Sequence, residues 1–317
     1  MKFGLRFIGF LVGFGIIAFM LWKVGIDNVI DAVSRANPVL IFLGLLFFSL
    51  NIITKIYKWV YLCAKNRIKI DFSESVIACL PSLFLANITP ARLGEAYKAF
   101  VMKRKHNLPL TKGFTMLFYE KLTETLALVA FASLAVFFLP ISTAYKMIIL
   151  GSVIFMIIVI VLFVNMPAMF SRLERVIVKV PHLKNLATKK FIKGLDKSIK
   201  GNLNLGILLS LFLLAVIGLL LEGIKSWLIL FSFGYNINLI SLTIVLCIAT
   251  VLGMVSNIPL GLGVIEGSMF SLYLVLGIPA GVAAPAILID RIIALWLVIL
   301  VGAILMRTSL VKEKAIF

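Results

Sequence analysis

The chain has 317 residues, of which 62% are hydrophobic, with a mean hydropathy of +1.15 and a formal net charge of +18. A soluble domain of this length could not hide so much apolar surface, so a soluble globular fold is excluded. The charge does not point to nucleic acid, because no soluble basic face exists to carry it; gathered on alternate loops, it points to membrane topology.

Residues 3–24 are apolar, but no small-x-small site precedes Lys23, so an uncleaved anchor is expected rather than a signal peptide. The loop 25–38 sums to −1. A second apolar run, 39–61, returns to a basic loop that begins at Lys55 and ends at Glu74. In the stretch 75–106 the first part is apolar, whereas the second carries Arg92, Glu95, Lys98 and Lys103. A charge at the centre of a spanning helix costs about 2.5–3.5 kcal/mol, so this stretch is predicted to enter and leave on one side as a re-entrant hairpin. The runs 114–139 and 144–164 go out and back, and lead to a basic loop, 166–204, with a net charge of +7. A fifth span covers 205–233, a second hairpin covers about 239–278, and a sixth span, 282–306, is followed by Arg307, Lys312 and Lys314. Six spanning helices and two hairpins thus form one all-α polytopic membrane domain over 1–317, multi-pass in the cell membrane, with both termini cytoplasmic. Loop 166–204 is expected to lie on anionic headgroups. Trp22, Trp59, Trp227 and Tyr235 suit an aromatic belt. Cys63, Cys79 and Cys247 have no metal or redox spacing and read as small buried hydrophobes.

Two segments share one design. Asn87-Ile88-Thr89-Pro90-Ala91-Arg92-Leu93-Gly94-Glu95 and Asn257-Ile258-Pro259-Leu260-Gly261-Leu262-Gly263-Val264-Ile265-Glu266 each interrupt an apolar run with Pro and Gly, then restart a helix carrying a carboxylate. A shift of 170 residues also places Lys55 on Lys225, Pro109 on Pro279, and Glu120-Lys121 on Asp290-Arg291. Scarce polar residues that coincide in this way predict an inverted repeat, about 39–139 and 205–306, with a broken helix in each half.

These residues define the candidate substrate site: Asn87, Arg92, Glu95, Glu120, Lys121, Asn257, Glu266, Asp290 and Arg291, with Pro90, Gly94, Pro259, Gly261 and Gly263 making the breaks. Neighbouring residues on a helix project about 100° apart, so Glu120-Lys121 and Asp290-Arg291 cannot satisfy each other fully, and one of each pair must reach another element. Half-helix amino termini at the two breaks would offer free N–H donors to an anion. Arg92 fits a phosphate or carboxylate; the alternative is a pair with Glu95 or Glu124. Glu222 lies deep enough to belong to a pathway, and Lys55 and Lys225 are near enough to helix ends to snorkel. The buried carboxylates Glu95, Glu120, Glu266 and Asp290 could couple protons. His106 and His182 lack ligand-spaced partners, so neither a metal nor another cofactor is expected.

The segment Arg92-Leu93-Gly94-Glu95 with Lys98, the motif Pro259-x-Gly261-x-Gly263-x-x-Glu266, and Arg291 resemble the transmembrane region of the lysyl-phosphatidylglycerol synthase/flippase family, which includes the flippase half of bacterial MprF. The resemblance covers essentially the whole chain, with Leu260-Gly261 where that family often has Gly-Gly. It implies a stand-alone flippase region without the synthase domain, and assigns the site to Arg92, Glu95, Glu266 and Arg291. The expected function is translocation of a charged-headgroup lipid or polyprenyl-phosphate carrier between leaflets, by alternating access of the repeats and without enzymatic chemistry. Alternatives are a small-solute or ion carrier, a membrane-embedded transferase, and an accessory subunit of a glycolipid-synthesising system that docks through 166–204.

Overall fold

The computed structural model describes residues 25–138, 205–256 and 258–314, with isolated positions at 15 and 22 and between 143 and 158. The predicted spans 3–24 and 144–164 (apart from those positions), the loop 166–204 and Asn257 lie outside the described residues.

Helix α1, Ile26–Arg35, occupies the predicted loop 25–38 and rests on the later helix Ala280–Arg291. Helix α2, Pro38–Lys65, starts where Asn37 Oδ1 accepts the Val39 N–H at 3.0 Å and Pro38 takes the first position. Helix α3, Phe72–Ile88, stops at extended Thr89 because Pro90 disfavours helical backbone before it. A tight 3-10 segment, Pro90–Ala96, leads into α4, Tyr97–His106, which ends on left-handed Asn107. Helix α5, Leu110–Ser133, and the short α6, Ala135–Phe138, follow, in place of one uninterrupted span 114–139.

The second half follows. Helix α7 is Leu205–Ser232 and α8 is Leu239–Ser256. A short 3-10 turn, Pro259–Gly261, precedes α9, Val264–Val275. Helix α10, Ala280–Arg291, passes through a π-helical turn, Ile292–Trp296, into α11, Leu297–Lys314. Among the described residues there is no strand, and four helical stretches are long and apolar enough to cross a membrane: Pro38–Lys65, Leu205–Ser232, Leu239–Ser256 and Ala280–Thr308. The chain is an all-helical, multi-pass membrane protein. One of the four, α8, comes from the second predicted hairpin; at 18 residues and about 1.5 Å per residue it is about 27 Å long.

Burial follows the logic of a lipid solvent. On α2, Phe42, Leu46, Leu50, Ile53 and Tyr57 are exposed, while Phe48, Asn51, Lys58 and Trp59 are buried. The ionisable and amide side chains Asn51 and Lys58 thus face the protein while large apolar ones cover the outer face, as expected where lipid rather than water surrounds the helix. The apolar core of the described residues falls into a small cluster, Val29 on α1 and Ala284 on α10, and two large ones. One is built mainly from α7 to α11 and includes Ile229, Ile244, Ile248, Met269 and Ile287. The other is built mainly from α2 to α5 and includes Ile56, Leu62, Met102, Met116 and Leu117. Helices α2 and α7 pack along one another and join the two.

Candidate functional site

Asn51, Lys55 and Lys58 lie four and three residues apart on α2, which puts them on one helical face. Asn51 is fully buried, and its Nδ2 donates to Glu222 Oε2 of α7 at 2.9 Å. Lys58 is buried and pairs with Glu124 of α5. Lys55 lines the cavity described below, and no described carboxylate lies within ion-pairing distance of it. Glu222, Lys225 and Ser226 form a matching polar stripe on α7.

The first break is not the α-helix restart that the sequence suggests. Seven residues, Pro90–Ala96, run as 3-10 helix before α4 begins. Thr89 does not cap an α-helix at Pro90; its hydroxyl donates to the Leu85 carbonyl at 2.6 Å and accepts the Gly94 N–H at 2.7 Å. Arg92 sits in the left-handed region at φ 55°, a backbone strain of about 1–3 kcal/mol that tends to mark functional sites. Its Nε pairs with Glu95 at 2.9 Å, and the side chain remains 44% exposed. The alternative pairing of Arg92 with Glu95 is therefore realised, with the guanidinium still at the cavity wall.

The second break turns through three left-handed residues, Leu260 at φ 63°, Gly261 at 62° and Gly263 at 76°. The Gly263 N–H donates to Glu266 Oε2 at 2.6 Å. Each break thus bonds one N–H with its own side chain, Gly94 with Thr89 and Gly263 with Glu266, so these two donors are not free for an anion. Leu260 holds a conformation that suits glycine. Leu260→Gly is expected to leave thermal stability unchanged or raised by up to about 1 kcal/mol, because relief of left-handed strain offsets the lost side chain. Leu260→Val, branched at Cβ, should lower it; melting curves of the three proteins in one detergent check this.

Every member of the two acidic–basic dipeptides reaches a different element. Glu120 bonds Lys98 Nζ at 2.6 Å, and Lys121 bonds both Glu95 and Glu124 at 2.6 Å. Asp290 accepts from Ser226 Oγ at 2.5 Å and lies 2.9 Å from Lys225 Nζ. Arg291 Nε lies 3.1 Å from Glu266 Oε1, close enough to pair but without hydrogen-bond alignment. The pair Lys121–Glu95 and the pair Arg291–Glu266 occupy matching positions in the two halves. Lys225 is fully buried against Asp290 and does not snorkel. Trp59 is also fully buried, with Lys98 Nζ 4.9 Å from its ring centroid, and so leaves the predicted aromatic belt. His106 Nε2 lies 3.0 Å from Glu74 Oε1, at the far end of α4 from the break.

A cavity of about 230 Å³ draws its walls from both halves. Asn87 and Arg92 come from the first break, Leu260 and Ile265 from the second, Asn51, Lys55 and Lys58 from α2, Glu222 from α7, Glu124 from α5, and Asp290 and Arg291 from α10. An adjoining smaller cavity shares Lys55, Arg92 and Glu124 and adds Glu95, Lys98, Glu120 and Lys121. The expected residues Asn87, Arg92, Asp290 and Arg291 line the larger space; Glu95, Glu120 and Lys121 line the smaller one. Glu266 lies behind Arg291. Of the break residues, Gly94 packs against Leu85, Gly261 against Ile265, and Pro90 and Pro259 open their 3-10 segments. Sequence reading missed Asn51, Lys58 and Lys98 as site residues. The spacing of Asn51, Lys55 and Lys58 on an otherwise apolar helix was the signal for the first two. Across the network the first half holds the cations Lys55, Lys58, Arg92, Lys98 and Lys121 against Glu95, Glu120 and Glu124, and the second holds Lys225 and Arg291 against Glu222, Glu266 and Asp290. One positive charge is in surplus.

Comparison with known proteins gives the family. The chain is 25% identical over 306 residues to a UPF0104 membrane protein of Methanothermobacter thermautotrophicus, covering 91% of this chain and 89% of the relative. It is 25% identical over 329 residues to another of Pyrococcus horikoshii, covering 95% and 96%. A third, of Methanocaldococcus jannaschii, is 23% identical over 312 residues, covering 93% and 92%. The family described as the lysylphosphatidylglycerol synthase TM region matches residues 6–302, a range that holds both breaks and every ion pair above. The chain belongs to that family.

Proposed function

We propose that this protein is a lipid translocase, which carries a charged headgroup through the membrane between its two halves while the acyl or prenyl chains stay in lipid. One observation carries this reading: residues of both helix breaks and the adjacent Asp290 and Arg291 line a single cavity walled by both halves. At about 230 Å³ it is smaller than the pockets of about 300–1,000 Å³ that enclose a drug-sized ligand whole, which suits a headgroup and not its chains. The matched pairs Lys121–Glu95 and Arg291–Glu266 support an inverted repeat, with 72–106 and 239–275 as broken, membrane-embedded segments and the basic loops facing the cytoplasm. The family name, which is that of the membrane region of a synthase for a charged lipid, supports a lipid as cargo. On this reading the protein is a carrier with no bond-making step.

The test is reconstitution into vesicles with fluorescent lipids, read by the fraction of label that a membrane-impermeant quencher can reach. The protein should accelerate exchange between leaflets. Arg92→Ala, which removes a charged donor worth about 1.5–3 kcal/mol, should slow it about tenfold to a hundredfold. No acceleration for anionic, zwitterionic or cationic headgroups, or equal rates for Arg92→Ala and wild type, rejects the reading. Uptake of a water-soluble anion without lipid exchange would replace it with a solute carrier.

A further inference from the structure

We infer that the group held in the central cavity is a monoanionic phosphodiester whose far end carries hydroxyls and no amine, with Lys55 as its counter-charge. This rests on the translocase reading for the source of the ligand but not for its charge.

Consider what the cavity offers. Lys58, Arg92 and Arg291 on its wall each have a carboxylate within 4 Å. Lys55 lines both the larger and the smaller space, and no described residue supplies it with a carboxylate at that range. An ammonium in a space walled largely by apolar helices is held at a substantial cost in solvation unless an anion meets it. The surplus of one positive charge across the network states how much anion is needed. One negative charge neutralises the site; a zwitterion leaves the surplus in place, and a headgroup with more ammoniums than phosphates adds to it.

The neighbours of Lys55 suit a phosphate with a polar extension. Arg92 is half exposed at the same wall, and only its Nε is committed to Glu95. Asn87 contributes an amide with no described side-chain hydrogen bond. Together these provide cationic and neutral donors for the phosphate oxygens. On the other side, Asn51 lines the cavity, and its Oδ1, buried beside Gly218, has no described donor. A ligand hydroxyl can satisfy it; an ammonium could also bond it, but would reverse the charge balance. Phosphoglycerol and phosphoinositol headgroups meet both requirements. Ethanolamine, choline and lysyl-glycerol headgroups do not. The inferred preference is thus opposite in sign to the lysyl-lipid in the family name.

The experiment measures binding and not transport. The full-length protein in mild detergent is titrated with phosphatidylglycerol, phosphatidylethanolamine and lysylphosphatidylglycerol, and bound lipid is counted by native mass spectrometry. Phosphatidylglycerol should bind about tenfold or more tighter than either of the others. Lys55→Gln should reduce that affinity to the level of phosphatidylethanolamine, and Lys55→Arg, which keeps the charge, should preserve the preference. An unchanged melting temperature for Lys55→Gln confirms that the fold is intact; should it unfold, the Lys55→Arg protein and the wild-type lipid ranking still decide the matter. Equal or tighter binding of phosphatidylethanolamine or lysylphosphatidylglycerol overturns the inference, as does a preference for phosphatidylglycerol that survives Lys55→Gln. Competition by soluble glycerophosphoglycerol at equal concentration upholds the diester chemistry and makes the source a free metabolite. A clear preference without vesicle exchange keeps this inference and rejects the translocase; exchange with no charge preference does the reverse.

Discussion

Lys225→Met is expected to destabilise the protein by about 3–5 kcal/mol, the largest effect of any single change at the site. Lys225 is fully buried, and its Nζ lies 2.9 Å from Asp290 Oδ1 and 3.6 Å from Glu222 Oε1. Asp290 is itself almost fully buried. Methionine preserves much of the side-chain volume but leaves the Asp290 carboxylate with the Ser226 hydroxyl as its sole described direct partner. The cost is that of an uncompensated buried charge rather than the net worth of the pair, which is small. The double change Lys225→Met with Asp290→Leu should therefore recover most of the loss. Thermal unfolding in a single detergent, monitored for the two single variants and the double, gives the coupling directly. If the double is no more stable than Lys225→Met alone, the pair is not a closed unit.

Gly94→Ala is the second large effect. A Cβ on Gly94 would overlap the carbonyl of Leu85, and would lie 2.5 Å from the backbone nitrogen of Ala86. Both are backbone atoms of α3, so no rotamer change can make room. The 3-10 segment must lift away, which breaks the bond from the Gly94 N–H to Thr89 Oγ1 and shifts Arg92 and Glu95. Overpacking of this kind costs about 1–3 kcal/mol or more, and here it displaces the residues that shape the cavity. We expect a lowered melting temperature together with loss of lipid binding. Gly281→Ala provides the contrast, because nothing lies within 4 Å of a Cβ added there on α10. That variant should be neutral, or more stable by up to about 1 kcal/mol through better helix propensity. Equal behaviour of the two alanine variants would show that the contact between the 3-10 segment and α3 is not required.

The chain states its solvent and its secondary structure openly. Apolar runs near twenty residues long can only be helices in a bilayer, since each backbone polar group must be satisfied within its own segment. Pro90 and Pro259 announce breaks because proline removes a donor and restricts the residue before it. Adjacent charges such as Glu120-Lys121 and Asp290-Arg291 had to look elsewhere for partners, because helical geometry turns neighbours apart. Which partners they found was not legible. That Glu120 meets Lys98, that Lys121 bridges Glu95 and Glu124, and that Lys225 meets Asp290 depends on how α2, α4, α5, α7 and α10 cross. The breaks were readable too, but their inner hydrogen bonds were not: the Gly94 N–H on Thr89 and the Gly263 N–H on Glu266 each engage one donor of the break. The sequence by itself therefore determined that ionisable groups lie within apolar helical runs and beside two interruptions. Only the tertiary structure decided that they line two adjoining cavities and that Lys55 has no described carboxylate within 4 Å, because pairing across helices is set by crossing geometry and not by distance along the chain.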